Sequence, residues 1–310
     1  MIAFDVYLCG WRVQSEIPLP ELLPWTTPQH PVDVRIRLGR VPPLADIVES
    51  QRRLTVDKTG VCRLEIPGIC TFTVSDGREV VVDPEVPLDS LDLRNYLFGT
   101  GLGLLCHQRG VFPLHGSCLR FGDNAIVFSG NSGAGKSTLA AALAQRGHTL
   151  LSDDVCALSD MEGGWFVRPA FPRVKLQPAS LKAIFGESPD HPPIRLQGKH
   201  HFRFEPVSSF DPNPVPLAAI YFLEKAEQGQ TESIVEVSGI EKLALINSQV
   251  FRPRMGRALG RQSFLRGTAL RLAGAVAVRR FCRSFDLSRI DATVALLEQK
   301  HGAPSSLKAP

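Results

Sequence analysis

Residues 125–147, AIVFSGNSGAGKSTLAAALAQRG, constrain the fold more than any other part of the chain. An apolar run ends at Ser129, the segment Gly130 to Ser137 fits G-x-x-x-x-G-K-[ST], and a stretch of strong helix formers continues to Gly147, the expected C′ residue. A strand that feeds a glycine loop opening straight into a helix belongs to α/β architecture. The loop also has a chemistry. Its glycines let successive backbone N–H groups turn inward, the helix N-terminus adds positive potential, and Lys136 neutralises β/γ-phosphate charge. The expected cradle is Gly130, Asn131, Ser132, Gly133, Ala134, Gly135, Lys136, Ser137 and Thr138. In such a site ATP is the ligand, and the Ser137 hydroxyl holds Mg²⁺.

HTLLSDDV follows at once and reads as a short strand whose C-terminal end delivers Asp153 and Asp154, where ligands of open α/β sheets bind. Adjacent residues on an extended chain point to opposite sides, so the two carboxylates are expected to do different work. One can join Ser137 at a metal while the other faces a substrate hydroxyl; a turn-capping role is the alternative for either. RPAFPRVKLQP places Arg173 and Lys175 at i and i+2 on one strand face. Either could clamp a transferring phosphoryl group, an ordinary solvated strand face being equally compatible with the spacing. Lys199 and Arg203 in GKHHFRF are further cationic candidates. From Arg252 to Arg289 ten arginines stand against one acid, Asp286, which reads as a solvated face or a contact with another subunit more readily than as an anion site.

The chain has 310 residues, 44% of them hydrophobic, enough for two domains. Residues 1–86 are punctuated by Gly, Pro and Asp-Gly turn signals between β-branched runs and predict a β-rich domain. A linking helix over 87–110 is expected to start at Asp89 or Ser90 and close at Gly110. The third segment, 111–300, holds the loop: VFPLHGSCLRF and AIVFSG flank the turn GDN, FVRPAFPRVKLQP and LAAIYFLEK read as strand and loop, and 240–250 with much of 255–299 as helix. A polar tail, 301–310, is expected to fray. The net charge of +4 is mild, and no nucleic-acid module accompanies it. No apolar stretch is long enough to span a membrane, and the seven cysteines are scattered without a CxxC pair, so a reducing cytoplasm is the expected compartment.

LHGS at 114–117, GNSGAGKST and RGHTLLSDDV follow one another as they do in the catalytic domain of bacterial HPr kinase/phosphorylase, which this region resembles. The resemblance implies a P-loop kinase core of α/β class, similar also to that of phosphoenolpyruvate carboxykinase. It implies His115 near the γ-phosphate, Asp154 as base on a serine hydroxyl, Asp153 with Ser137 on the metal side, and an oligomer. A counterpart of the family's later signature segment, associated with phosphorolysis, is not found, and residues 1–110 do not resemble the usual N-terminal domain. Stretches such as YLCGWRVQSEIPLPELLP and PLAAIYFLEK are similar instead to HPr-kinase-like proteins of peptide-modification clusters, lasso-peptide clusters included. There the implied acceptor is a serine at or near the C-terminus of a precursor peptide. The expected activity is therefore phosphorylation of a serine in a peptide or protein, with the N-terminal domain recognising the acceptor. Alternatives are a kinase of free serine and a nucleotide-binding module without transfer activity. A GTPase would need N-K-x-D and an ABC ATPase L-S-G-G-Q, and neither occurs.

Overall fold

The computed structural model describes residues 4–27, 29–51, 53–186, 193–195, 197–203, 210–226 and 231–304. The chain divides into two compact units, Met1–Pro113 with Phe251–Thr268, and Leu114–Val250 with Ala269–Pro310. The sequence groups 111–300 together, whereas packing assigns the segment Phe251–Thr268 to the first unit. Most of the polar tail expected at 301–310 lies outside the described residues.

The first unit is built on eight strands: β1 (Phe4–Leu8), β2 (Trp11–Ser15), β3 (Val34–Leu38), β4 (Ile47–Gln51), β5 (Leu54–Asp57), β6 (Cys62–Ile66), β7 (Cys70–Ser75) and β8 (Glu79–Pro84). They form one sheet in the order β1-β2-β3-β8-β7-β6-β5-β4. The period-2 pattern is visible in β7, where Cys70, Phe72 and Val74 are buried while the threonines between them are partly exposed. Helix α1 (Leu91–Tyr96) starts on Ser90, whose hydroxyl accepts from the Asp92 amide. After a π-helical turn at Leu97–Gly101, α2 (Leu102–Arg109) ends at Gly110 in the left-handed conformation. Ser90 is one of the two starts the sequence offers, and the segment is broken by the π-helical turn before it stops at Gly110.

The second unit holds β9 (Phe112–Phe121), β10 (Asn124–Ser129), α3 (Lys136–Gln145), β11 (Thr149–Met161), β12 (Gly164–Arg168), β13 (Arg173–Leu176), α4 (Pro178–Phe185), β14 (His200–Arg203), β15 (Val215–Lys225), β16 (Ser233–Glu236) and α5 (Gly239–Ser248). After α6 (Pro253–Ala258), in the first unit, and α7 (Gln262–Ala275), come β17 (Ala277–Arg283) and α8 (Ile290–His301). The main sheet has the order β10-β9-β11-β12-β15-β17-β16, and β10 also pairs with β15. Strands β10, β15 and β17 are mutually parallel, Ser129 lying opposite Phe222 and Phe222 opposite Arg280. Their C-terminal ends therefore share one sheet edge.

Much of 255–299 is helical, as expected, in α6, α7 and α8, and strand β17 interrupts it. AVRRFCR buries Val278, Phe281 and Arg283 between two neighbouring strands, and that pairing is invisible in a short apolar run whose spacing also suits a helix. Helix α3 packs Leu139, Ala140 and Leu143 into a core with Phe128, Tyr221, Phe281, Val294 and Leu297. At about 1.5–3 kcal/mol for each fully buried large side chain, this core anchors the helix whose N-terminus closes the glycine loop.

Candidate functional site

The Gly130–Ser137 loop leaves β10 at the shared edge and enters α3 directly. Gly130 has φ +135°, and a Cβ there would lie 2.8 Å from the Leu223 carbonyl oxygen on the neighbouring strand. Gly135, at φ +77°, precedes the first residue of α3, and a Cβ there would lie 2.3 Å from Nη2 of Arg283. Both positions combine a left-handed backbone with close approach, so only glycine fits without displacement.

Lys136 is only 8% exposed and turns its ammonium back on the loop, donating to the carbonyls of Gly130 at 2.8 Å and Asn131 at 3.1 Å. Burial lowers its pKa, opposed by Asp153 and Asp154. Those carbonyls hold the ammonium against the loop.

Asp153 is buried, and both of its oxygens accept hydrogen bonds. Oδ1 accepts from the Ser117 hydroxyl at 2.6 Å and the Ser137 hydroxyl at 2.8 Å, and Oδ2 accepts from the Lys175 amide at 3.1 Å. Asp154 engages a different set of groups. Its Oδ2 meets Lys175 Nζ at 2.7 Å, and His115 Nδ1 lies 3.4 Å from Oδ1 and 2.9 Å from the Asp154 carbonyl. A carbonyl only accepts, so Nδ1 carries the imidazole proton. Burial by itself would raise the Asp154 pKa. The Lys175 charge and the His115 contact outweigh it and hold the carboxyl far below the ordinary carboxylate range.

One local expectation needs correcting. The aspartates do not end a short strand; β11 runs for thirteen residues and carries them in its interior. Asp154 has φ +80°, a left-handed conformation uncommon outside glycine, and it breaks the pleat where the strand passes the loop.

A cavity of about 540 Å³ opens over these groups, lined by His115, Ser137, Asp153, Asp154, Lys175 and Arg283 among others. The volume falls within the range of small-molecule sites. Ser132, Gly133, Gly135, Lys136 and Thr138 line it too, as does Lys199. Arg173 does not. It is buried, with its guanidinium over the Phe171 ring at 5.1 Å, while Arg203 is exposed on β14. The Ser137 hydroxyl and Asp153 carboxylate are hard oxygen donors side by side, a set that suits Mg²⁺, which takes one or two protein oxygens and fills its octahedron with phosphate and water.

Over part of its length the chain is similar to HPr kinase/phosphorylase. It is 33% identical over 111 residues to the HPr kinase/phosphorylase of Azoarcus sp., a match covering 34% of this chain and 36% of that protein. The chain thus spans about a third of the length of the relative it matches. The HPr(Ser) kinase/phosphatase structure from Coxiella burnetii gives a TM-score of 0.34 at 13% identity, covering 61% of this chain and 89% of that one. No family model matches.

Two contributors escape the sequence reading. Ser117, next to the glycine of LHGS, donates to Asp153 from β9. Arg283, one of the ten arginines read as a solvated or subunit-contacting face, is only 3% exposed and stands at the C-terminal end of β17, inside the cavity. The available signal was strand order: once β17 is parallel to β10, its last residue must reach the edge where the loop begins. Among the described residues no helix is long and apolar enough to cross a membrane.

Proposed function

We propose that this chain is an ATP- and Mg²⁺-dependent kinase that phosphorylates a serine hydroxyl of a peptide or protein, with the C-terminal serine of a precursor peptide as the first acceptor to test. The observation that carries the reading is that the two aspartates of one cavity have separate partners: Asp153 is bonded to the loop serine, and Asp154 is paired with a lysine and a histidine.

In this reading the loop amides and Lys136 bind the β- and γ-phosphates. Ser137 and Asp153 would hold Mg²⁺, whose charge neutralises phosphate oxygens when it is bound. Asp154 receives the acceptor hydroxyl. With so depressed a pKa it is a weak Brønsted base, so its main contribution is to orient the hydroxyl and accept its proton late, as a loose phosphoryl-transfer transition state requires. Lys175 is placed to lend charge to the transferring group while holding Asp154, and His115 Nδ1–H fixes the Asp154 backbone. The partial likeness to HPr kinase/phosphorylase supports a kinase acting on a protein acceptor.

The test is incubation with γ-labelled ATP, Mg²⁺ and a peptide ending in serine, alongside free serine and an alanine-ended control. Label on the peptide serine, read by mass, supports the proposal; label on free serine alone would move the assignment to a small-molecule kinase.

A further inference from the structure

Arg283 is a buried cation whose hydrogen bonding is incomplete. Its Nη1 donates to the Ser284 carbonyl at 3.1 Å, Nη2 reaches the Gly135 carbonyl only at a long 3.4 Å, and the buried Nε has no partner among the described residues. It forms no ion pair within the described residues, although the charge of Glu232 is felt there, and burial brings its pKa down to about 10. A guanidinium taken out of water with one donor unused and one poorly used is an unfavourable arrangement unless something else completes it. Position says what that could be. Arg283 lines the cavity, touches the residue that opens α3, and lies so close to Gly135 that no side chain fits between them. It is on the loop side, whereas Lys175 is paired across the cavity with Asp154.

We infer that Arg283 binds the phosphate chain of the nucleotide, leaving the Gly135 carbonyl to donate from its planar fork to phosphate oxygens. This rests on reading the Gly130–Ser137 loop as a phosphate cradle. A fork of fixed N–H donors matches phosphate oxygens better than a lone carbonyl, and an anion there would supply the charge partner that the buried arginine lacks. Gly135 then has two duties: it turns the chain into α3, and it leaves room for the guanidinium.

Binding of ATP and of adenosine to the full chain should be measured by calorimetry for wild type, Lys136→Ala, Arg283→Met and Arg283→Lys. Methionine keeps an unbranched apolar stem while removing the fork, whose central carbon lies 5.1 Å over the Phe285 ring. Arg283→Met should weaken ATP binding by about 10- to 100-fold, the range for loss of a charge-assisted hydrogen bond, and leave adenosine binding unchanged. Arg283→Lys should recover part of the loss. If wild type binds ATP, Lys136→Ala does not, and Arg283→Met binds as wild type does, the arginine assignment is overturned while the cradle stands. If wild type binds no ATP, the cradle itself fails and the inference with it. A crystal structure of the wild type with a non-hydrolysable ATP analogue decides without any variant: a guanidinium nitrogen within about 3 Å of a phosphate oxygen supports the assignment, and one still resting on Gly135 refutes it.

Discussion

Asp154 concentrates the chemistry of the site in one side chain held at an unusual backbone angle. Asparagine is nearly isosteric and, like aspartate, tolerates a positive φ, so Asp154→Asn should preserve the bend while removing the charge. Phosphoryl transfer is expected to fall by about 10²–10⁴-fold with ATP affinity intact, as a comparison of single-turnover rates and calorimetry will show. Asp154→Ala adds backbone strain of about 1–2 kcal/mol and should also lower the melting temperature. The pH dependence has a definite sign. A carboxyl with a depressed folded-state pKa contributes stability that is present above the unfolded value of about 3.9 and is lost only as pH falls through the folded value. Asp154 therefore stays ionised through the weakly acidic range, and an acidic limb of kcat/KM near neutrality would not be its own. Removing the neighbouring charge by Lys175→Met should raise the Asp154 pKa and bring a new acidic limb up the pH axis, which a rate profile would reveal. The aspartates and the lysine were legible because they sit in motifs with fixed spacing. Arg283 was not, since burial of one arginine among ten is decided by which strand lies beside which.

At the scale of elements, the glycine loop is pinned by two strands it does not belong to. Gly130→Ala would set a Cβ against the backbone oxygen of Leu223, which cannot swing away, and should destabilise the second unit by more than the penalty of about 1 kcal/mol or so for left-handed backbone alone. Gly135→Ala meets the movable end of Arg283 instead. It should displace the guanidinium, so the ATP-binding losses of Gly135→Ala and Arg283→Met should overlap rather than add in a double-mutant cycle. Elements bounded by punctuation were readable from sequence, as the Ser90 start and Gly110 stop of the helical segment illustrate. Strand β17 was not, because its buried Val278 and Phe281 stand at i and i+3, a spacing that suits a helix, and only the pairing with β15 decides. The true length of β11 escaped for a similar reason: two aspartates look like an ending until hydroxyls from β9 and α3 are found to satisfy one of them.

At the scale of the molecule, a β-rich first unit and an α/β second unit carry different burdens in our reading, with the acceptor recognised by the first and ATP held by the second. Surface substitutions on the first sheet, for example at exposed Ile47 and Val48 of β4, should leave the Kd for ATP unchanged while altering the KM for the peptide. Equal effects on both would break that division. The glycine loop predicted the class of the second unit, whereas assignment of 251–268 to the first required tertiary packing that no local pattern encodes. The most direct measurement of the central claim is a single-turnover assay with γ-labelled ATP, Mg²⁺ and a serine-ended peptide, run on wild type and Asp154→Asn with nucleotide binding measured in parallel. The account predicts phosphoserine on the peptide with wild type and loss of transfer by two to four orders of magnitude in the variant at unchanged ATP affinity. Wild-type protein that binds ATP yet never labels a serine, or a variant that transfers at the wild-type rate, would contradict it.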